Sequence, residues 1–223
     1  MGELVPLVNG GFTSVVFIVF VVCSVYDIHD AKVCGKRHVK PFLMPFIALY
    51  YCLQCKQLNI PIHWMLIVGL LFGCLGDIFL IKTDEKSFLC GLISFFLCHV
   101  SYLILFLSKL DLSRVNPWLL IAIIPYMLLI HTIYSRLKEY VPKEMIVPVK
   151  AYMVIIVSMS FVALLRYDPN HLNHFLIAYI GSLFFMLSDT ILSFHIFAKR
   201  SHNGIMSTYI LAQFLIMYSF LLA

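Results

Sequence analysis

Long apolar stretches fill most of the chain, and the charged residues fall between them. A helix needs about 20 mostly apolar residues to cross the hydrocarbon part of a membrane. Dividing the chain at its charges gives eight candidate spans, at residues 4–26, 41–55, 57–81, 87–108, 115–135, 145–165, 169–198 and 201–223. The second has only 15 uncharged residues, so it reaches full length only if Lys40 joins it with its amine extended to the membrane edge. The pattern predicts an all-α membrane bundle of eight transmembrane helices.

The composition agrees with this interpretation. Of the 223 residues 62% are hydrophobic and 12% are charged, whereas a soluble domain carries about 25% charged residues. This excludes a soluble enzyme, a nucleic-acid-binding module and a disordered protein, so we expect membrane lipids and no nucleic acid as partners. Because the connections are short, residues 1–223 are expected to form a single integral membrane domain. The first span lacks a basic flank and a cleavage site, and it is interpreted as a retained helix.

Lysine and arginine are unequally distributed over the two sides of the predicted bundle. Twelve of the 16 lie in the first, third, fifth and seventh loops, and four lie in the other loops. Since positive charge accumulates on the cytoplasmic side, the odd loops are predicted to be cytoplasmic and both termini lumenal or outside. The membrane would be that of the endoplasmic reticulum in a eukaryote and the cytoplasmic membrane in a bacterium.

An internal similarity indicates two repeats. Residues 69–80 align without gaps on residues 181–192, with glycine, leucine, phenylalanine and aspartate at the same offsets. We therefore predict two four-helix repeats, about residues 1–112 and 113–223, in the same orientation because four is an even number. If the third and seventh spans pack near the axis that relates the repeats, Asp77 and Asp189 come close together.

Asp77 and Asp189 are the two carboxylates that lie well within the predicted spans. A carboxylate there costs on the order of 2.5–3.5 kcal/mol, so a functional site is the default hypothesis, and structural hydrogen bonding is the alternative. His99 and Gln213 lie at similar depths, where they either take part in the site or bridge helices. All four fall in the cytoplasmic half of the membrane, which predicts one cavity open to that side. Asp77, Asp189 and His99 also share helix faces with small residues, which places them against protein and not lipid.

Other polar residues near this region have two interpretations. Lys40 is either a phosphate-binding group or a lysine anchored at the membrane edge. Three tyrosines are either site residues or interfacial side chains; they are Tyr102, Tyr152 and Tyr209. His171 and His174 lie in a polar loop on the opposite side and are predicted to be solvated.

Two carboxyl groups held close together in an apolar environment cannot both ionise easily, so one keeps its proton. Such a pair supplies an acid and a base, which suits hydrolysis by an activated water or proton-coupled transport. A structural membrane component is the third possibility. A metal site is disfavoured because His195 lies about 120° around its helix from Asp189, and we expect neither metal nor cofactor.

The ordered set of motifs resembles the YhhN/lysoplasmalogenase family from about residue 40 to residue 213. The motifs are Lys40-Pro41, Gly76-Asp77 with Leu80, Gly91-x3-Phe95-x3-His99-x2-Tyr102, Ser188-Asp189 with Leu192, and Tyr209-x2-Ala212-Gln213. The resemblance implies an eight-helix membrane hydrolase that cleaves the vinyl-ether bond of lysoplasmalogen, releasing a fatty aldehyde and glycerophosphoethanolamine or glycerophosphocholine.

The resemblance also implies that Asp77 and Asp189 form the catalytic pair, one giving a proton to the alkenyl chain and the other stabilising the cation and activating water. His99 and Gln213 would position the water or the glycerol hydroxyl, and Lys40 would hold the phosphate. A proton-coupled transporter or flippase for a lipid or small amphiphile is the alternative function.

Overall fold

The structure, a computed structural model, describes residues 11–33, 40–82, 84–200 and 204–222. Within these residues the chain forms eight α-helices and no strand, which confirms the all-α prediction. The helices are α1 (Gly11–Val33), α2 (Lys40–Leu58), α3 (Trp64–Phe79), α4 (Glu85–Ser108), α5 (Ile123–Leu137), α6 (Ile146–Leu165), α7 (Leu172–Ala198) and α8 (Ile205–Ser219). Residues 4–10, 201–203 and 223 of the first and last predicted spans lie outside the described residues.

Four helical segments in the described ranges are long and apolar enough to cross a membrane. They are Glu85–Ser108, Pro117–Leu137, Lys143–Leu165 and Pro169–Ala198, and they correspond to the fourth to seventh predicted spans. α3 and α8 are apolar but have 16 and 15 residues, fewer than the roughly 20 that a span needs. The structure thus shows a helical, membrane-type protein, and the number of eight transmembrane helices stays a prediction.

The third predicted span begins too early. Residues 57 and 58 still belong to α2, and Asn59 follows with a φ of 53°, a left-handed conformation that asparagine tolerates. Pro61 then lacks the amide hydrogen that a helix interior requires, and α3 begins only at Trp64. The hydroxyl of Tyr51 accepts a hydrogen bond of 3.2 Å from the amide of His63, which fixes this connection against α2.

Within residues 11–108 and within residues 123–219, helices that follow one another in sequence pack side by side, whereas α4 and α5 are not among the closely packed pairs. α3 packs against α2 and α4, and α7 packs against α6 and α8. Contacts of α4 with α6 and of α2 with α8 join the two halves. These pairings follow the same order in each half, as two repeats would require, and the repeat itself stays a prediction. α3 and α7 are not among the closely packed pairs, which differs from the expectation that they meet at the axis.

Glycines on one face of α3 let aromatic rings of α4 approach its backbone. A Cβ atom on Gly69 would lie 2.3 Å from Cε1 of Tyr102, and a Cβ atom on Gly76 would lie 2.6 Å from Cε2 of Phe95. Both distances are shorter than non-bonded atoms allow, so these positions admit no side chain without movement of a buried ring. The small residues of α3 therefore face protein, as the helical periodicity predicts.

Replacing Gly69 by alanine is expected to destabilise the protein by about 1–3 kcal/mol, because the added methyl group overlaps the fully buried ring of Tyr102. The measurement is the midpoint of thermal unfolding in detergent, followed by circular dichroism. Leu71→Ala, at a position of α3 whose side chain is 52% exposed, is the control and should change the midpoint far less. An unchanged or raised midpoint for Gly69→Ala would contradict this close packing.

Candidate active site

A buried ion pair joins the start of α2 to the last turn of α3. Nζ of Lys40 lies 2.7 Å from Oδ1 of Asp77, and the two side chains are 6% and 0% exposed. Oη of Tyr209, on α8, donates a hydrogen bond of 3.0 Å to Oδ2 of the same carboxylate. The lysine that the sequence places at the membrane edge is therefore directed into the protein, where it balances the charge of Asp77.

Gly73, one turn before Asp77, makes room for the α8 side of this cluster. A Cβ atom on Gly73 would lie 3.0 Å from Nε2 of Gln213 and 3.1 Å from Oη of Tyr209. Because Gly73 has no side chain, both polar groups of α8 reach the face of α3 that carries the aspartate. The Gly-x3-Asp spacing thus positions Asp77 against α8 as well as against α2.

Asp189 lies in a second cluster, formed by α4, α6 and α7. Nε2 of His99 is 3.1 Å from Oδ2 of Asp189 and 3.0 Å from Oη of Tyr152. The Tyr152 hydroxyl donates a short hydrogen bond to the same Oδ2 atom. Three helices are therefore tied together at one carboxylate oxygen.

Oδ1, the other carboxylate oxygen of Asp189, takes no part in the hydrogen bonds that join these three helices. Oδ1 accepts no hydrogen bond from the described residues, and the Asp189 side chain is 10% exposed. Nδ1 of His99 is buried and has no hydrogen-bond partner among the described residues, so a neutral ring with its proton on Nε2 suits this position best. In that state His99 and Tyr152 both donate to Oδ2, which leaves Oδ1 without a hydrogen bond from the described residues.

Gln213 extends the Asp77 cluster towards α4. Oη of Tyr102 donates a hydrogen bond of 2.5 Å to Oε1 of Gln213, and Nε2 of Gln213 lies 3.4 Å from Oη of Tyr209. Tyr102 and Gln213 are fully buried and Tyr209 is 3% exposed. These three residues hold α8 against α3 and α4 and are shielded from both water and lipid.

Phe185 of α7 packs between the two clusters. Its ring centre lies 4.5 Å from that of His99 and 5.6 Å from that of Tyr209, in edge-to-face arrangements. Within the described part of the chain, no hydrogen bond links Asp77 to Asp189. Each carboxylate has its own hydrogen-bond and ion-pair partners, and the catalytic pairing of the two aspartates stays a prediction.

An apolar cleft lies beside Asp189, between α4, α5, α6 and α7. Its enclosed volume is about 80 Å³, the space of about three water molecules, and it opens between the helices. Asp189, Tyr152, Thr190 and Ser193 are polar residues in its lining. The apolar lining includes Phe88, Leu92, Ile133, Met153, Ile156 and Phe197. Asp189 thus borders an apolar cleft, which Asp77 and Lys40 do not line.

α5 forms the outer wall of this cleft. Leu129, Ile130 and Ile133 line the cleft, whereas Met127 and Leu128 are 57% and 61% exposed. In an apolar 18-residue stretch of Pro117–Leu137, 6% of the residues are buried inside the protein, compared with 39–44% in the corresponding stretches of the other three long spans. α5 is therefore the least enclosed of these helices.

The structure places every predicted site residue in one of the two clusters. The Asp77 cluster contains Lys40, Tyr102, Tyr209 and Gln213, and the Asp189 cluster contains His99 and Tyr152. Their catalytic and binding roles stay predictions. The sequence interpretation did not assign Phe185 to the site, although it lies four residues before Asp189 on the same helix face. No comparable helical spacing in the sequence indicates that α5 forms a wall of the cleft.

Within the described ranges, no group of three histidine, cysteine or acidic side chains is arranged to hold a metal ion. Comparisons with curated proteins and with solved structures gave no match. A model of the YhhN family matches residues 35–220, which is most of the chain. The chain belongs to the YhhN family. The matched range contains both clusters of this YhhN protein, from Lys40 to Gln213.

In this YhhN protein, breaking the Lys40–Asp77 pair is expected to cost about 3–5 kcal/mol of stability, because either single change removes one partner of a buried ion pair. Lys40→Met and Asp77→Asn are compared with the double variant by unfolding in mixed micelles. The double variant should lose much less than the sum of the two single losses. Asp111→Asn, which removes the acid of an exposed pair, is the control and should leave stability unchanged. Additive losses would contradict a direct pair.

Proposed function

We propose that this YhhN protein is a membrane-embedded hydrolase that cleaves the vinyl-ether bond of lysoplasmalogen. The products would be a fatty aldehyde and glycerophosphoethanolamine or glycerophosphocholine. The observation that carries the proposal is that Asp189, held through Oδ2 and with no hydrogen bond to Oδ1 from the described residues, lines an apolar cleft. Such an arrangement suits a substrate whose reactive bond joins an apolar chain to a polar headgroup. Membership of the YhhN family is consistent with this activity.

The first step of the proposed reaction is the transfer of a proton to carbon. Asp189, protonated on Oδ1, gives its proton to the β-carbon of the vinyl ether, and the adjacent carbon and the ether oxygen then share a positive charge. The carboxylate that remains lies beside this cation and stabilises it. His99 and Tyr152 hold Oδ2 and so keep Oδ1 directed at the substrate.

Water completes the reaction. A water molecule adds to the cationic carbon and returns a proton to Asp189, so the same carboxyl group acts first as an acid and then as a base. The resulting hemiacetal breaks its bond to the glycerol oxygen, which leaves as a hydroxyl, and the chain leaves as an aldehyde. The net change is the addition of one water molecule, and the enzyme returns to its starting protonation state.

Asp77 has a different role in this proposal. Its carboxylate is fully buried, balanced by Lys40 and bonded to Tyr209, so we assign it to positioning α8 and Gln213. Gln213 and Tyr102 would in turn support His99 and Phe185 from the side opposite the cleft. Both aspartates are thus needed for activity in this proposal, and Asp189 alone transfers the proton.

We also propose that all eight helices lie in the membrane with both termini lumenal or outside. Support comes from the outward faces of the short helices, since Leu71, Leu75 and Ile78 of α3 are exposed apolar side chains. A helix of 16 residues matches the membrane if the bilayer thins locally or polar flanking residues extend to the interface.

Asp189→Asn is expected to lower aldehyde release from lysoplasmalogen by at least about 100-fold, since general acid–base groups contribute factors of about 10²–10⁴. The assay uses purified protein in detergent, where transport produces no signal because there are no compartments. Asp84→Asn, at the exposed start of α4, is the control and should retain full activity.

The stability of the Asp189→Asn variant should stay close to that of the wild type, in contrast to Asp77→Asn. Wild-type protein that releases no aldehyde, or an Asp189→Asn variant with normal turnover, would refute the proposed reaction. Absence of aldehyde release together with proton-coupled lipid movement in vesicles would favour the transporter alternative.

Ser193→Phe is expected to fill the cleft beside Asp189 and to lower kcat/KM for long-chain lysoplasmalogen by at least about tenfold, since small displacements of a bound substrate have effects of this size. Ser207→Phe makes the same chemical change at an exposed position of α8 outside the cleft and serves as the matched control. Equal kinetics for the two variants would show that the chain does not occupy this cleft.

A further inference from the structure

A second cavity lies at the opposite end of the bundle, where α4 and α6 end and α7 begins. Its volume is about 200 Å³, enough for about six water molecules. We name it the far-end cavity, and its polar lining includes Lys109, Arg114, Arg166, Asp168, His171 and His174. Phe88 and Lys109, at the two ends of α4, are about 30 Å apart along the helix, so this cavity is separate from the candidate active site.

Arg166 is the unusual residue in this cavity. Its guanidinium carbon lies 5.1 Å and 5.2 Å from the ring centres of Phe106 and Phe220, so two aromatic rings fix its position. The guanidinium group makes no hydrogen bond or ion pair with the described residues, and its Nη1 atom is buried without a partner. Burial lowers the pKa of Arg166 to about 10, which leaves the group charged at neutral pH.

The acidic residues of the cavity are already engaged by other cations. Asp111 pairs with Arg114 at 3.1 Å, and Asp168 lies 3.0 Å from Nδ1 of His171 and 4.0 Å from Arg114. Hydrogen bonds from His171 and from the amide of Asn170 hold the pKa of Asp168 below its usual range, so it is ionised at neutral pH. Neither acid reaches Arg166, and the positive charge of the cavity is not balanced there.

His174 also differs from its sequence prediction. His171 is exposed as expected, whereas His174 is half-buried and lines the far-end cavity. The ring centres of the two histidines are 5.6 Å apart. The cavity therefore contains two imidazole rings in addition to its lysine and arginines.

The helix ends do not replace the missing acceptor. Arg166 follows the last residue of α6, where the helix dipole favours a cation. A dipole nevertheless gives no hydrogen-bond acceptor to a buried guanidinium N–H group, and a buried donor left unsatisfied is unfavourable. An anion in the cavity would remove this cost.

We propose that the far-end cavity binds a phosphate group, carried by a lipid headgroup or by a small soluble phosphate compound, with Arg166 as its main ligand. A guanidinium group donates two parallel hydrogen bonds to phosphate oxygens, and Lys109 and His174 supply further positive charge or donors from other sides. The volume admits a group of this size. The position at the helix ends is also the level at which phosphates of a bilayer lie.

The test measures binding of radiolabelled inorganic phosphate to the full-length protein in nanodiscs of zwitterionic lipid. We expect saturable binding that Arg166→Gln weakens at least tenfold. Arg200→Gln, which removes a charge at the other end of the bundle, should leave it unchanged. Asp168→Asn should strengthen binding several-fold, because it removes a negative charge and releases His171 and Arg114. This variant keeps the test decisive if Arg166→Gln fails to fold.

A second arm adds phosphatidic acid to the nanodiscs. Competition with phosphate in the wild type, and retention of the lipid in native mass spectrometry that Arg166→Gln abolishes, would assign the site to lipid headgroups. Phosphate binding without competition would assign it to a soluble compound. Absence of binding in both arms, equal binding by wild type and Arg166→Gln, or weaker binding by Asp168→Asn would overturn the proposal.

Discussion

A charged side chain inside a membrane has to find its partners within the protein, and the arrangement of the helices here follows from this requirement. Lys40 and Asp77 neutralise one another where α2, α3 and α8 meet. The carboxylate of Asp189 is instead held by two neutral hydrogen-bond donors, His99 of α4 and Tyr152 of α6. The contacts of α3 with α2 and α8, and of α7 with α4 and α6, thus include polar bonds that lipid could not supply.

The two aspartates find their partners within the protein in different ways. The difference suits Asp77 to a structural role and Asp189 to proton transfer. Asp77 is bonded through both oxygens and has no exposed surface. Asp189 is held through one oxygen and borders the cleft. A carboxyl group that is fixed on one side and open on the other can exchange a proton with a bound molecule while the surrounding helices stay in place.

Much of this site is predictable from the sequence. Polar and charged side chains are energetically unfavourable in apolar spans, so the few that occur there are easy to identify. Asp77, His99 and Gln213 are buried and the side chain of Asp189 is 10% exposed. Periodicity also correctly placed the glycines of α3 beside polar and aromatic groups. Which helices become neighbours depends on the packing of the whole bundle. For this reason the sequence did not predict that each aspartate has its own set of partners. Arg166 was likewise counted only as a loop charge, since the two rings that hold it are distant in sequence.

The loose packing of α5 makes the surrounding bilayer a part of the cleft. Lipid, and not protein, supports the outward face of this helix, where Met127 and Leu128 are exposed, while its inward face forms one wall beside Asp189. Bilayer thickness and lateral pressure act directly on a helix held in this way. The width of the cleft is then a property of the protein and its membrane together, and kinetics measured in one detergent or lipid would not transfer unchanged to another.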